Sequence, residues 1–162
     1  MSVDMSRLTL ILSVLDALDA KSFLEIGTGP GDVHNVVRVD RKVGVDPFNV
    51  CADTVLKMTS DEFFAQNKDK FDLIFIDGDH SAEQSSKDFY NAVEALNECG
   101  VILMHDIDQL DDPRNRGEVY ITWQKIKNDE RFETTELFMA TDEDYIGMVR
   151  IKPRVNGALK MD

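Results

Sequence analysis

Phe23-Leu24-Glu25-Ile26-Gly27-Thr28-Gly29-Pro30-Gly31-Asp32 is the stretch that decides the fold. Phe23 to Ile26 predict a short buried strand. Glycines at alternate positions, 27, 29 and 31, then form a turn with no Cβ to hold a ligand away from the backbone. Val33, Val36 and Val37 predict a short helix with Asp32 as its N-cap, whose first N–H groups would face that ligand. A dinucleotide fingerprint, G-x-G-x-x-G, would need a third glycine at position 32. Asp32 stands there instead.

Outward from this turn, strands and helices alternate. Upstream, Leu8, Ile11, Leu12, Leu15 and Leu18 recur at helical spacing, so Asp4 to Leu18 predict an amphipathic helix capped by Asp4; Leu10 and Val14 widen its apolar face, which turns to the core rather than to a subunit contact. Downstream, Val43-Gly44-Val45 is a second strand ending at Asp46-Pro47, and Thr54 to Lys57 a weak third. Thr59-x-x-Glu62 is a capping box. Phe71 to Ile76 is almost continuously apolar, as in a central parallel strand covered on both faces. Ser81-x-x-Gln84 is a second capping box; Phe89, Ala92, Val93, Leu96 and Cys99 predict one helix face, stopped by Gly100. Val101 to Met104 is a fifth strand, Asp106 to Glu118 an acidic loop, and Val119 to Lys127 a helix with Trp123 in the core. Thr134–Met139 and Tyr145–Ile151 predict a closing antiparallel hairpin. The fold class is therefore α/β: a Rossmann-like, mostly parallel sheet with a reversed C-terminal hairpin and helices on both faces. Residues 1–162 form one domain, with a core at about 20–151 and a tail at 152–162 prone to fray.

Composition limits the function classes. The hydrophobic fraction of 43% suits a soluble globular domain. A net charge of −13, from 31 acidic and 18 basic residues, argues against nucleic acid or an anionic membrane as partner. Cys51 and Cys99 follow no metal or redox spacing, which fits reduced thiols and a cytoplasmic location. Leu8 to Leu18 is too short to span a bilayer, and the first residues lack the basic start of a signal peptide.

Chemistry-bearing residues fall at strand ends. Asp46 lies nineteen residues after Gly27, where an acid accepts hydrogen bonds from ribose hydroxyls. Ile76-Asp77-Gly78-Asp79-His80-Ser81 places ionisable groups where the fourth strand opens, a costly arrangement unless they are exposed or paired. His34 is read as a surface residue and His105 as a packed structural histidine pointing away from Asp106. Arg114 and Arg116 are read as solvated charges.

The pattern Glu25-x-Gly27-x-Gly29-x-Gly31 resembles the first motif of class I S-adenosylmethionine-dependent methyltransferases. Phe71–Ser81, its following helix and Gly100–Asp106 (GVILMHD) resemble the small-molecule and sugar O-methyltransferases within that class. The resemblance covers roughly residues 20–150 in order and spacing. It implies that Glu25, Gly27, Thr28, Gly29 and Gly31 hold the methionine end of the cofactor, Asp46 the ribose, Met58, Thr59 and Ser60 the adenine border, and that Asp77 also touches the cofactor. It implies Mg²⁺ carried by Asp77 and Asp106, oxygen ligands suited to that ion. His80 matches a general-base position, and an imidazole titrating near neutrality suits removal of a hydroxyl proton; Asp79 would orient His80 or assist the metal. Metal-dependent relatives often carry an acid or amide directly after the second aspartate, where this chain has Ile107. The expected reaction is methyl transfer to a hydroxyl of a small-molecule acceptor. The acceptor pocket is completed by a second subunit of a homodimer, or the acceptor binds an open face, or none is methylated. The competing readings are a methyltransferase-like binding module without catalysis and an NAD-type enzyme.

Overall fold

The structure, a computed structural model, describes residues 6–108, 117–140 and 144–153. Four helices and seven strands follow in the order α1 (Arg7–Ala17), β1 (Ser22–Ile26), β2 (Arg41–Val45), β3 (Val55–Leu56), α2 (Ser60–Gln66), β4 (Phe71–Ile76), α3 (Ala82–Glu94), β5 (Leu96–His105), α4 (Val119–Lys127), β6 (Phe132–Met139) and β7 (Asp144–Ile151). The sheet runs β3-β2-β1-β4-β5-β7-β6. β1 to β5 are parallel neighbours, whereas β7 is antiparallel to both β5 and β6. The Rossmann-like sheet with a reversed terminal hairpin is thus present.

Alternating side chains build two cores. Leu73 and Phe75 of β4 pack with Leu10, Ile11 and Leu15 of α1 on one face. Ile74 and Ile76 pack on the other with Phe63 of α2, Phe89 and Ala92 of α3, and Trp123 and Ile126 of α4. A central strand covered on both faces has no solvent side, which is why β4 reads as a continuous apolar run.

Several boundaries differ from the sequence expectation. Ser6, not Asp4, caps α1, its hydroxyl accepting from Thr9 N; Asp4 lies outside the described residues, as do Arg114 and Arg116. Leu10, Ile11 and Leu15 of the expected apolar face of α1 are buried, but Leu12 is exposed. Ser81 caps α3 by accepting from Gln84 N, but the Gln84 amide turns to Ser60, Asp61 and Asp88 instead of closing the box. α3 stops at Glu94; Leu96 already pairs with Phe71, so Leu96 and Cys99 lie on a strand. Gly100 is no helix stop. A Cβ there would stand 2.8 Å from the Leu96 side chain and 2.9 Å from the Asp72 carbonyl oxygen, so glycine permits a tight passage where β5 is irregular.

The expected helix after Asp32 is absent. Residues 32–36 form turns, with Asn35 N donating to Gly31 O and Val37 N to Val33 O. Side chains take up carbonyls that a longer helix would use: Lys42 Nζ donates to His34 O at 2.5 Å and Val37 O at 3.1 Å, and Arg38 to Asn35 O at 2.6 Å. Val33 and Val37 are still buried, one turn apart.

The parallel register sets up the site. Ile26, Val45, Ile76 and Met104 form one row across β1, β2, β4 and β5. The next residue on each strand, Gly27, Asp46, Asp77 and His105, therefore emerges at one edge. Gly27 has φ +83°, and a Cβ there would lie 2.1 Å from the Asp77 carbonyl oxygen. Gly29 has φ +49° but faces open space. Gly27→Ala is expected to destabilise the fold by about 2–5 kcal/mol, strain and overpacking together, and Gly29→Ala by about 1–2 kcal/mol. Urea denaturation of both variants checks this order; equal losses would count against the close approach.

Candidate functional site

A cavity of about 470 Å³ opens at the carboxyl ends of β1, β2 and β4. Gly27, Asp46, Phe48, Ser60, Asp77 and Asp88 are among its lining residues. This is where a parallel α/β sheet places ligands, because the loops leaving adjacent strands diverge there.

Asp46 holds the cavity's upper loops. Its Oδ2 accepts from Gly29 N at 2.9 Å, and its Oδ1 from Phe48 N at 2.8 Å and Asn49 N at 2.7 Å. Burial pushes this carboxyl up, but the three backbone donors outweigh it and hold it below the ordinary carboxylate range. A carboxylate has about four acceptor sites, so the three bonds leave room for a ligand hydroxyl. Thr59 and Ser60 line the cavity. Met58 is half-buried against the core, its sulfur accepting from Gln66 Nε2, and it is not among the lining residues. Two lining residues carried no sequence signal. Phe48 is 86% exposed, an aromatic ring presented at the cavity mouth. Asp88 is buried on α3 and bonded by Gln84; burial pushes its carboxyl up.

Asp77, His80, His105 and Asp106 converge beside this cavity. His80 Nε2 lies 3.4 Å from Asp106 Oδ2 and 3.8 Å from Asp77 Oδ1. His105 Nδ1 lies 3.0 Å and 3.2 Å from the same two oxygens. The expectation that His105 points away from Asp106 fails, although it is buried and packs edge-on to Phe75. Asp106 has φ +54°; this left-handed residue breaks strand alternation and brings both side chains to one side. Burial pushes the Asp77 carboxyl up, but His105, His80 and Arg7 outweigh burial and hold it at about 2. Asp77, helped by Asp106 and opposed by burial, raises the His80 imidazole above its ordinary value. The ligand atoms of Asp77, His80 and Asp106 all lie within 4.8 Å of one another, a spacing and donor chemistry that fit a divalent cation. Ile107 is buried in the core and offers no donor.

Asp79 stands apart from this cluster: it is exposed and accepts Ser81 N at 2.8 Å at the start of α3. The far side of His80 is fixed by the chain entering α4. Glu118 N donates to His80 O at 2.7 Å, and a Cβ on Gly117 would lie 2.4 Å from that of His80.

His34 overturns its surface reading. It is fully buried, with Nδ1 3.2 Å from Glu25 Oε2 and Nε2 2.8 Å from Thr54 Oγ1. Burial pushes the Glu25 carboxyl up and His34 only partly pulls it back. Glu25 thus braces the turn after the glycines from below. The missed signal is the spacing: Glu25 and His34 lie nine residues apart across a turn whose compactness only the folded chain reveals.

Residues 44–107 match a family model described as a methyltransferase domain. This segment contains Asp46, Asp77, His80 and Asp106 but not the glycine turn. No curated protein matches the sequence. Among solved structures, the chain is similar to an O-methyltransferase from Bacillus cereus in complex with SAH, with 18% identity and a TM-score of 0.67 over 93% of this chain and 83% of that one. It is also similar to the O-methyltransferase TomG from Streptomyces achromogenes, involved in tomaymycin synthesis and in complex with SAM: 14% identity, TM-score 0.67, 94% of this chain and 82% of that one. The SAH-bound Podospora anserina methyltransferase PaMTH1 aligns at 16% identity and TM-score 0.64 over 94% and 80%. At these identities the likeness is one of fold.

Replacing His34 by Ala strands a buried carboxyl and a hydroxyl, so the expected loss of stability is about 3 kcal/mol. Equilibrium denaturation measures it; a change within about 0.5 kcal/mol, normal for a surface residue, would contradict the bracing role.

Proposed function

We propose that this chain, a class I methyltransferase domain, binds S-adenosylmethionine in the cavity above β1, β2 and β4 and transfers its methyl group to a hydroxyl of a small molecule, sugars included. One observation carries the reading: Asp77 belongs both to the cavity wall and to the carboxylate–imidazole cluster. A cofactor seated in the cavity would present its reactive end beside groups able to activate an acceptor. The O-methyltransferases of similar fold support oxygen as the accepting atom.

In this reading Asp46 receives the ribose hydroxyls, and the turn at 27–31 lies along the methionine end. Thr59 and Ser60 border the adenine together with Phe48, whose exposed ring offers a stacking face. The sulfonium is already a good leaving group, so the protein's task is alignment of oxygen, methyl and sulfur. His80 takes the hydroxyl proton, and Asp77 and Asp106 stabilise the imidazolium that results. Asp79, bonded to Ser81 N, positions the loop that carries His80 rather than the imidazole itself.

A second reading is favoured by the convergence of three donors. Asp77 and Asp106 would hold a divalent cation such as Mg²⁺, with the His80 imidazole as the third donor within reach. Such an ion, when bound, lowers the pKa of a coordinated hydroxyl. The imidazole cannot be ligand and base together, so metal dependence separates the two roles. No helix among the described residues is long and apolar enough to cross a membrane.

Calorimetric titration with S-adenosylmethionine, S-adenosylhomocysteine and NAD, each with and without Mg²⁺, is the direct test. Binding of the first two and not NAD is expected; binding of none would leave a methyltransferase-like interaction module. With an acceptor in hand, His80→Ala is expected to lower kcat by about 10²–10⁴-fold without changing cofactor affinity. A base must be neutral to act, and the imidazole of His80 is raised. The rate should therefore climb with pH through a range above the ordinary imidazole value of about 6.5, a limb that His80→Ala abolishes. A metal-dependent rate lacking that limb would favour the ligand role.

A further inference from the structure

A cation that drew in His80 as its third ligand would leave the acceptor hydroxyl without a base. The other imidazole lies nearer to both carboxylates. His105 Nδ1 stands 3.0 Å from Asp106 Oδ2 and 3.2 Å from Asp77 Oδ1, against 3.4 Å and 3.8 Å for His80 Nε2. Donors sharing one small divalent ion, each about 2.1 Å from it at angles between octahedral and tetrahedral, stand about 3.0–3.4 Å from one another. Both separations of His105 fall in that range, and the longer one of His80 does not. Neighbouring residues of a strand ordinarily face opposite ways. Here φ +54° at Asp106 turns its carboxylate to the side of the imidazole before it. His105 is buried and packs edge-on to Phe75, which fixes its ring. Asp77 gives Oδ2 to Arg7 Nη1 at 3.3 Å, and the oxygen it turns to the imidazoles is Oδ1.

We propose that His105 Nδ1 is the third protein ligand of a divalent cation held by Asp77 Oδ1 and Asp106 Oδ2, and that His80 stays off the ion as the base. The inference rests on the metal reading above and goes beyond it, because metal and base then coexist in one site. His105 supplies from before Asp106 the donor that Ile107, buried in the core, does not supply after it. The donor set also names the class of ion. An imidazole nitrogen beside two carboxylates suits a first-row transition ion better than Mg²⁺, which favours oxygen ligands and retained waters. Arg7 and Phe75 are then the groups that orient the ligands, one through Asp77 and the other through His105.

The test titrates the untagged protein with Co²⁺ and with Mg²⁺ by calorimetry, and follows Co²⁺ by its visible spectrum as well. One Co²⁺ is expected to bind, more tightly than Mg²⁺. His105→Gln is expected to weaken Co²⁺ by at least about 10–100-fold, since losing an outer-shell partner alone has that effect. His105→Asn puts an amide oxygen near the place of Nδ1. It should recover part of the affinity, narrow the preference for Co²⁺ over Mg²⁺ and change the spectrum; a histidine that only packs would not move that preference. Asp106→Asn should also weaken Co²⁺, and His80→Ala should leave its affinity unchanged. Circular dichroism of the metal-free variants checks folding, and His105→Asn carries the test if His105→Gln does not fold. Full Co²⁺ affinity in His105→Gln, or its loss in His80→Ala, would overturn the assignment and leave His80 as the ligand. Binding that survives Asp106→Asn would put the ion elsewhere and overturn it as well. A folded wild-type protein that takes up neither ion would overturn the metal reading together with the assignment, while its titration with S-adenosylhomocysteine judges the cofactor reading separately.

Discussion

Just beyond the ends of β1 and β4 the two backbones pass so close, at Gly27 and Asp77, that Gly27 has no room for a side chain. Gly27 N donates to Val45 O, and Asp77 N to Ile26 O, each at 2.8 Å. Three strand ends are thereby clamped to one level, and a Cβ on Gly27 would enter the Asp77 peptide. Beyond the clamp the chains must part, and the space between them is the cavity. The glycine's first duty is therefore to the protein: it lets strands end together. Gly29 is the glycine that faces open space, with its N–H bound to Asp46.

The turn after the glycines depends on a second device. A helix there would have satisfied its own carbonyls and presented its N-terminus to a ligand. This chain instead draws His34 into the interior between Glu25 and Thr54 and lets Lys42 and Arg38 serve the carbonyls. The acidic residue of the motif is consequently structural in its contacts, joining β1 to the turn and to the approach of β3. Anion attraction by a helix dipole is therefore unavailable at this turn.

Charge organises the reactive edge. Two carboxylates, Asp77 and Asp106, would repel each other if they faced one point alone. Two imidazoles, one buried and one half-exposed, lie within 4 Å of both. His105 is fixed by packing against Phe75, whereas His80 is held through its backbone by Glu118. Of the two histidines, His105 is buried beside the carboxylates and His80 stays half-exposed.

The sequence by itself determined the alternation of strands and helices, the central β4, the reversed hairpin, the caps of α2 and α3, and Asp46 and Asp77 at strand ends. These follow from periodicity, capping and turn chemistry, which act within a few residues. It also put His80 in the segment just beyond β4 and Asp106 just beyond β5. Tertiary structure alone decided which way side chains turn at a strand's end, where alternation no longer applies: His105 faces the carboxylates because Asp106 adopts a left-handed φ. It alone buried His34, since a histidine nine residues from Glu25 meets it only once the turn has folded. It ended α3 at Glu94, since Leu96 is already taken up in the ladder with Phe71. It also carried Arg7, seventy residues from Asp77 in sequence, to 3.3 Å from its carboxylate. Contacts of that separation depend on how α1 packs against the sheet, a choice that no local pattern encodes.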